Sequence, residues 1–376
     1  MEDTNLLVYM LYGVGGVGIL LAVFVMISTA VQRSLEKKAD KFALEDGEWE
    51  EDAPAQGDAW QDDGAPIGVA LERRQAPAVP EREQQATAPE TRQPVAQGAR
   101  VALQGLEEEE PVSVHIGGFS VRAYAGKHIG ARKEQQDALH HSPADLATVT
   151  KSGLLYVVCD GMGGMRMGGE AANLAAKSFV SAFLASKSPA QVALREAADI
   201  ANEMVWELCK SDDLSGAGTT LIAALITQEG MHYISVGDSH IYLLRGGVLS
   251  QMNVDHNYLG ELLMKVRRGE ITREQALSDP ERAHLTSYLG LRRLTLVDRS
   301  SGPIEMEDGD CVILASDGLF KVLTPAGIAE RVKSADGQTV SRLIGEALSF
   351  QYRNQDNVSV ALIALSKAGL SGEVLP

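Results

Sequence analysis

Four aspartates, far apart in the chain, share one kind of setting. Asp160, Asp317 and Asp356 each stand where an apolar run ends or begins, beside Gly161, Gly318 and Asn357 respectively. Asp137 follows a β-like stretch at 119–125. A sheet holds side chains at its strand ends in fixed positions, so carboxylates there can build an oxygen-lined site. Oxygen donors without His or Cys select hard divalent ions, which points to Mg²⁺ or Mn²⁺ and away from Zn²⁺. Each Asp-Gly taken alone is an ordinary turn dipeptide; the weight lies in the set.

The elements that must carry these residues are readable from periodicity. Continuous apolar runs at 154–159, 221–226, 231–236, 241–244, 311–315 and 358–364, bounded by Gly, Asp or Ser, predict buried strands. Helical spacing of Leu174, Phe179 and Phe183, and then of Leu194, Ala198, Ala201, Val205 and Leu208, predicts two successive helices. Grouped strands with helix pairs between them indicate an α+β layered domain rather than regular βαβ alternation. The predicted domain runs from 118 to 366, with a short tail at 367–376.

The preceding third of the chain differs. Residues 6–31 contain no charge, enough to cross a bilayer as one helix, and Arg33, Lys37, Lys38 and Lys41 follow. Positive charge on that side predicts a single-pass anchor over 1–38 in the inner membrane, with the N-terminus outside and the rest cytoplasmic. Gly13, Gly15 and Gly18 spell G-x-G-x-x-G, but inside a spanning segment the dinucleotide mechanism has no strand-to-helix turn to use. Gly18 and Ala22 form a small-xxx-small pair through which two such helices could associate.

Residues 39–117 read as a disordered linker rich in Ala, Glu, Gln and Pro. From 32 to 115 there are 19 acidic and 9 basic residues, a net of -10, too polar to repay ordering. Trp49 and Trp60 are its only docking-like features. The whole chain's net charge of -17 argues against nucleic acid as a partner. Cys159, Cys209 and Cys311 have no metal-ligand spacing and fit a reducing compartment.

The succession Arg132-x-x-Gln135-Gln136-Asp137, Asp160-Gly161-Met162-Gly163-Gly164, Gly218-Thr219-Thr220, Gly237-Asp238-Ser239, Ser316-Asp317-Gly318 and Asp356-Asn357 resembles the type 2C family of metal-dependent protein phosphatases, in its bacterial form. The resemblance covers 118–366 and neither the anchor nor the linker. It implies a β-sandwich of two antiparallel sheets flanked by helix pairs, four layers in all. It also implies two Mn²⁺ or Mg²⁺ ions per site with a possible third. Asp160 would bridge the pair with the Gly161 carbonyl beside it, Asp317 and Asp356 would complete one ion's shell, and Asp137 would hold metal-bound water. Asp238 with Asp317 would serve the third ion, and Arg132 would grip the substrate phosphate. Residues 258–289 would form a flap beside the site.

The implied reaction is hydrolysis of phosphoserine or phosphothreonine in proteins, by direct attack of a metal-bridging hydroxide. Substrates would be phosphoproteins, membrane-associated ones or targets of a Ser/Thr kinase. Met162 stands where eukaryotic relatives have a His, so the leaving alkoxide must take its proton from water. Gln136 replaces a common Glu, which keeps an acceptor but loses a charge. That loss is the single feature favouring an alternative, a catalytically weak pseudophosphatase acting as a phosphoprotein-binding membrane scaffold. His128, His140, His141 and His256 read as structural or solvated.

Overall fold

The computed structural model describes residues 103–162, 167–211, 217–333, 335–350 and 355–368. The expected anchor, most of the expected linker and nearly all of the tail lie outside the described residues. Among the described residues no helix is long and apolar enough to cross a membrane.

Strands β1 (Glu107–Glu108), β2 (Val112–Ile116) and β3 (Phe119–His128) are followed by β4 (Asp137–His141), helix α1 (Leu146–Ser152) and β5 (Leu154–Met162). Two long helices, α2 (Met167–Ala185) and α3 (Ala190–Ser211), then lead to β6 (Gly218–Thr219), β7 (Leu221–Thr227), β8 (Gly230–Val236), β9 (His240–Arg245) and β10 (Val248–Gln251). Short helices α4 (Tyr258–Arg267) and α5 (Arg273–Ser278) precede β11 (Asp298–Arg299) and β12 (Cys311–Ala315). The chain continues through α6 (Asp317–Phe320), α7 (Pro325–Val332) and α8 (Thr339–Ser349) into β13 (Val358–Lys367).

The strands form two antiparallel sheets. A seven-stranded sheet runs β1-β3-β13-β12-β9-β10, with β2 also on β3, and a six-stranded sheet runs β11-β8-β7-β5-β4, with β6 on β5. The apolar runs have no polar face because both faces of each central strand are covered. Along β5, Leu155, Val157 and Cys159 pack against α2 and α3, whereas Leu154, Tyr156 and Val158 meet the opposite sheet. On the far side of the other sheet, Ile313, Val360 and Leu362 pack against Ile328, Leu343 and Ile344 of α7 and α8. Three apolar layers between four structural layers give the expected sandwich flanked by helices. All three cysteines are buried and free.

One boundary differs from expectation. The stretch assigned to the linker up to 117 supplies β1 and β2, so ordered structure begins well before 118. Val112, Val114 and Ile116 alternate with Ser113 and His115, which turns one face inward, and β2 pairs with β3 over its whole length. The acidic run at 107–110 obscured this. Glu107 lies opposite Lys127 in the ladder and forms an ion pair with it at 3.4 Å.

The segment at 258–289 folds as α4 and α5. Its end is tied back by an isolated bridge between Leu289 and Thr219, next to the strand end that carries Asp160.

Candidate active site

The pleat decides where the carboxylates point. Side chains alternate along a strand, so Asp160 follows Tyr156 and Val158 toward the space between the sheets. Asp137 lies directly opposite Asp160 in the β4–β5 ladder and shares that side. On the other sheet Ser316 continues the inward-facing set of Val312 and Leu314, and its hydroxyl donates to Asp137 Oδ2 at 2.7 Å. The apolar layer between the sheets therefore ends in a polar cap. Asp137 is 1% exposed.

Backbone contacts lock the strand ends together. Thr220 Oγ1 accepts the Asp160 N–H at 2.9 Å, and the Thr220 N–H donates to the Asp160 carbonyl at 2.8 Å. Thr219 Oγ1 donates to the same carbonyl at 2.9 Å. Thr220 Oγ1 and Ser239 Oγ, 2.8 Å apart, link this cradle to the turn that carries Asp238. His256 fixes that turn from behind: its Nδ1 accepts the Gly237 N–H at 3.2 Å, and its own N–H donates to the Gly237 carbonyl at 2.9 Å.

Asn357 holds the 129–136 loop. Its Nδ2 donates to the carbonyls of Ile129 at 2.7 Å and Glu134 at 3.1 Å, while its Oδ1 accepts the Gln136 N–H at 2.7 Å. At Gly161 the chains come so close that a Cβ would lie 2.1 Å from the Gly168 carbonyl oxygen and 2.6 Å from that of Gln136.

Electrostatics show that the carboxylates share one space. Burial pushes Asp137 up to about 7, with repulsion from Asp317 and Asp356 adding and the Ser316 hydrogen bond opposing. Burial also raises Asp160 well above the carboxylate range, reinforced by Asp137, Asp317, Asp356 and Asp238. Asp317 is raised chiefly by burial, with Lys321 opposing, and burial with repulsion from Asp317 lifts Asp238 to about 6.

Two cations answer this charge. Arg132 donates from Nη2 to Asp356 Oδ2 at 2.7 Å, as the sequence placed it beside the site. Lys321, one helical turn beyond Asp317, donates to Asp317 Oδ2. Burial pulls the Lys321 ammonium down, but Asp317, Asp238 and Asp356 outweigh it and hold it above its ordinary range.

The structure thus brings together all seven sequence-predicted positions: Arg132, Asp137, Asp160, Gly161, Asp238, Asp317 and Asp356. Sequence reading missed Lys321, and it quoted Ser316 and Asn357 within the motifs without giving either a role. The Asp317/Lys321 spacing of i, i+4 was a visible signal for the first. His128, His141 and His256 serve structural contacts, as read: the first accepts the Gly130 N–H, and the second stacks on Tyr156.

Among the described residues no three His, Cys, Asp or Glu side chains stand ready to enclose an ion as they lie. The donor set fits divalent cations all the same. Asp137 Oδ1 and Asp317 Oδ1 are buried without a hydrogen-bond partner, and uncompensated oxygens among mutually repelling carboxylates are stabilised by hard positive charge.

These groups give a sign to the pH dependence without metal. Asp137, Asp160, Asp238 and Asp317 all bind protons more readily folded than unfolded. Their contribution to stability is therefore full below the unfolded pKa, near 4, and is lost as pH rises toward about 7. Ion binding needs them deprotonated and gains strength over the same window. Thermal scans should show the melting-temperature gap between manganese-loaded and chelated protein widening from about pH 5 to 7.5. A gap independent of pH would contradict the assigned ligands.

Comparison with known proteins agrees with this geometry. The family model described as Protein phosphatase 2C matches residues 126–349. The chain is 32% identical over 215 residues to the Serine/threonine phosphatase stp of Listeria monocytogenes, covering 56% of this chain and 83% of that protein. Among solved structures it resembles the PPM Ser-Thr phosphatase MsPP from Mycobacterium smegmatis in complex with cacodylate, with a TM-score of 0.52 and 33% identity over 64% of this chain and 97% of that one. It also resembles the catalytic domain of the serine threonine protein phosphatase PstP in complex with two manganese ions, with a TM-score of 0.52 and 26% identity over 66% and 99% of the two chains. The fold, the order of the carboxylates and these matches converge: the chain belongs to the protein phosphatase 2C family of Mn²⁺- or Mg²⁺-dependent protein serine/threonine phosphatases.

Proposed function

We propose that this protein removes phosphate from phosphoserine and phosphothreonine of proteins at the cytoplasmic face of a membrane. The observation that carries the catalytic reading is the pair of orphaned buried oxygens on Asp137 and Asp317, set among carboxylates that repel one another. Asp160, Gly161, Asp317 and Asp356 would hold two ions, with Asp137 close by and Asp238 available to a third. Such ions supply an activated water and neutralise phosphoryl charge.

The chain's own side chains do the rest. Arg132 is 52% exposed at its side chain, so its guanidinium can leave Asp356 and take two phosphate oxygens in its planar fork. Lys321, which donates to Asp317 Oδ2, would add a second positive charge facing the site. Ser316 keeps Asp137 oriented through its hydroxyl. Met162 has no proton to give, so the leaving alkoxide takes one from solvent.

The test is manganese-dependent phosphate release from a phosphothreonine peptide. Wild type should be active, and Asp317→Asn should be slower by about a hundredfold or more. Arg132→Ala should act mainly on KM, because its contact is made in ground and transition states alike. Activity equal in wild type and Asp317→Asn would replace catalysis with a scaffold role.

The membrane part of the proposal is supported by the charge-free segment at 6–31 and the four basic residues that follow it, all outside the described residues. An anchor there would raise the enzyme's concentration near membrane-associated phosphoproteins. Removing residues 1–38 should move the protein to the soluble fraction and leave peptide hydrolysis unchanged. Retention in washed membranes after that deletion rejects the anchor.

A further inference from the structure

The end of the sandwich remote from the carboxylates carries a cavity of 720 Å³. β7 begins beside Thr220 at the active site and ends at Thr227 on the cavity wall, so its seven residues separate the two by roughly 20 Å. The floor includes Ile116, Ile226 and Met306, side chains of the apolar layer between the sheets. The rim is acidic. Glu229, Glu305, Glu307 and Asp308 against Lys367 make four negative charges and one positive, a net of -3.

Only part of that charge is answered locally. Glu307 is held by Arg245 at 3.0 Å, and Asp308 Oδ1 accepts the Lys367 backbone N–H at 2.7 Å. Glu229 and Glu305 are both exposed, one on the β7–β8 turn and the other on the segment leading to β12, and the two segments run side by side at the Met231–Ile304 bridge, with Arg245 reaching the Glu305 carbonyl at 2.7 Å.

We propose that this cavity docks a short segment of a partner protein that presents lysine or arginine beside large apolar side chains. The volume admits two or three such side chains, and the floor rewards their desolvation. The rim attracts the cationic flanks and rejects acidic segments, which sets specificity. Occupation here leaves the phosphate site open. A docked phosphoprotein would therefore be held at high local concentration near the carboxylates without competing for them. That use of the cavity rests on the phosphatase reading; the binding itself does not.

The test uses the full chain and a fluorescein-labelled peptide of alternating lysine and leucine, followed by anisotropy at about 0.15 M salt. The double change Glu229→Lys with Glu305→Lys should weaken binding by about tenfold or more, while Glu330→Lys on α7 should change it by less than about twofold. Hydrolysis of a short phosphothreonine peptide should be the same in all three proteins. Equal weakening by the α7 control, or no weakening by the rim variant, overturns the proposal.

So does binding that emerges only after Lys37, Lys38 and Lys41 are changed to serine, since the chain's own basic stretch would then be the occupant. A dimer that the rim variant dissolves in sedimentation would likewise assign the cavity to a second copy. Loss of catalysis in wild type with probe binding intact would strike the phosphatase reading alone.

Discussion

Exchanging Asp160 for asparagine should lower kcat/KM for manganese-dependent hydrolysis of a phosphothreonine peptide by at least about a thousandfold. Asp160 is the carboxylate on which repulsion from all four others converges: Asp137, Asp317, Asp356 and Asp238. Its backbone is also clamped on both sides by Thr219 and Thr220. Removing its charge takes away the carboxylate that would bridge the two ions. The same change should raise the melting temperature in chelator by a few degrees, because one source of buried like-charge repulsion is gone. Opposite signs for activity and metal-free stability distinguish a functional carboxylate from a structural one. Near-normal turnover in Asp160→Asn would sink the assignment.

The second large effect is expected at Gly318. A Cβ there would lie 2.0 Å from the Asn357 carbonyl oxygen and 2.9 Å from its carbon. Both obstacles are backbone, so no side-chain rotation can relieve the clash. Gly318→Ala must push the Asp317 turn away from the Asp356–Asn357 turn. Overpacking of this kind destabilises by about 1–3 kcal/mol. A shift of about 1 Å between ligands of one ion should lower kcat by about a hundredfold. Urea unfolding and steady-state kinetics on the same preparation would check both. A variant that is stable and active would mean that the two turns do not need this approach.

How much of this could be read from sequence depends on burial. The runs at 221–226, 231–236 and 311–315 are apolar without interruption because both their faces meet other layers, and each falls within an observed strand. The strand from 154 was longer than its apolar run because Asp160 and Gly161 continue the ladder as site residues. β2 was lost beside the acidic run at 107–110, since edge strands next to charge carry a weak pattern. At the site, carboxylates announced themselves through Gly and Asn neighbours, and close backbone approaches require the glycines at 161 and 318.

Lys321, and the tying role of Asn357, were not legible in the same way. A lysine after an aspartate looks like any surface helix pair until the other carboxylates are seen around it. An asparagine that ties together the carbonyls of Ile129 and Glu134 depends on a partner segment more than two hundred positions upstream.

The position of β13 has a consequence for biosynthesis. This last strand lies between β3 and β12, in the middle of its sheet. A nascent polypeptide still lacking residues 358–367 leaves β3 and β12 without the neighbour that joins them, and Asp356 has no fixed place. The hydrolytic centre is therefore assembled only when translation has passed this strand, so ribosome-bound fragments should be inert toward the phosphoproteins around them.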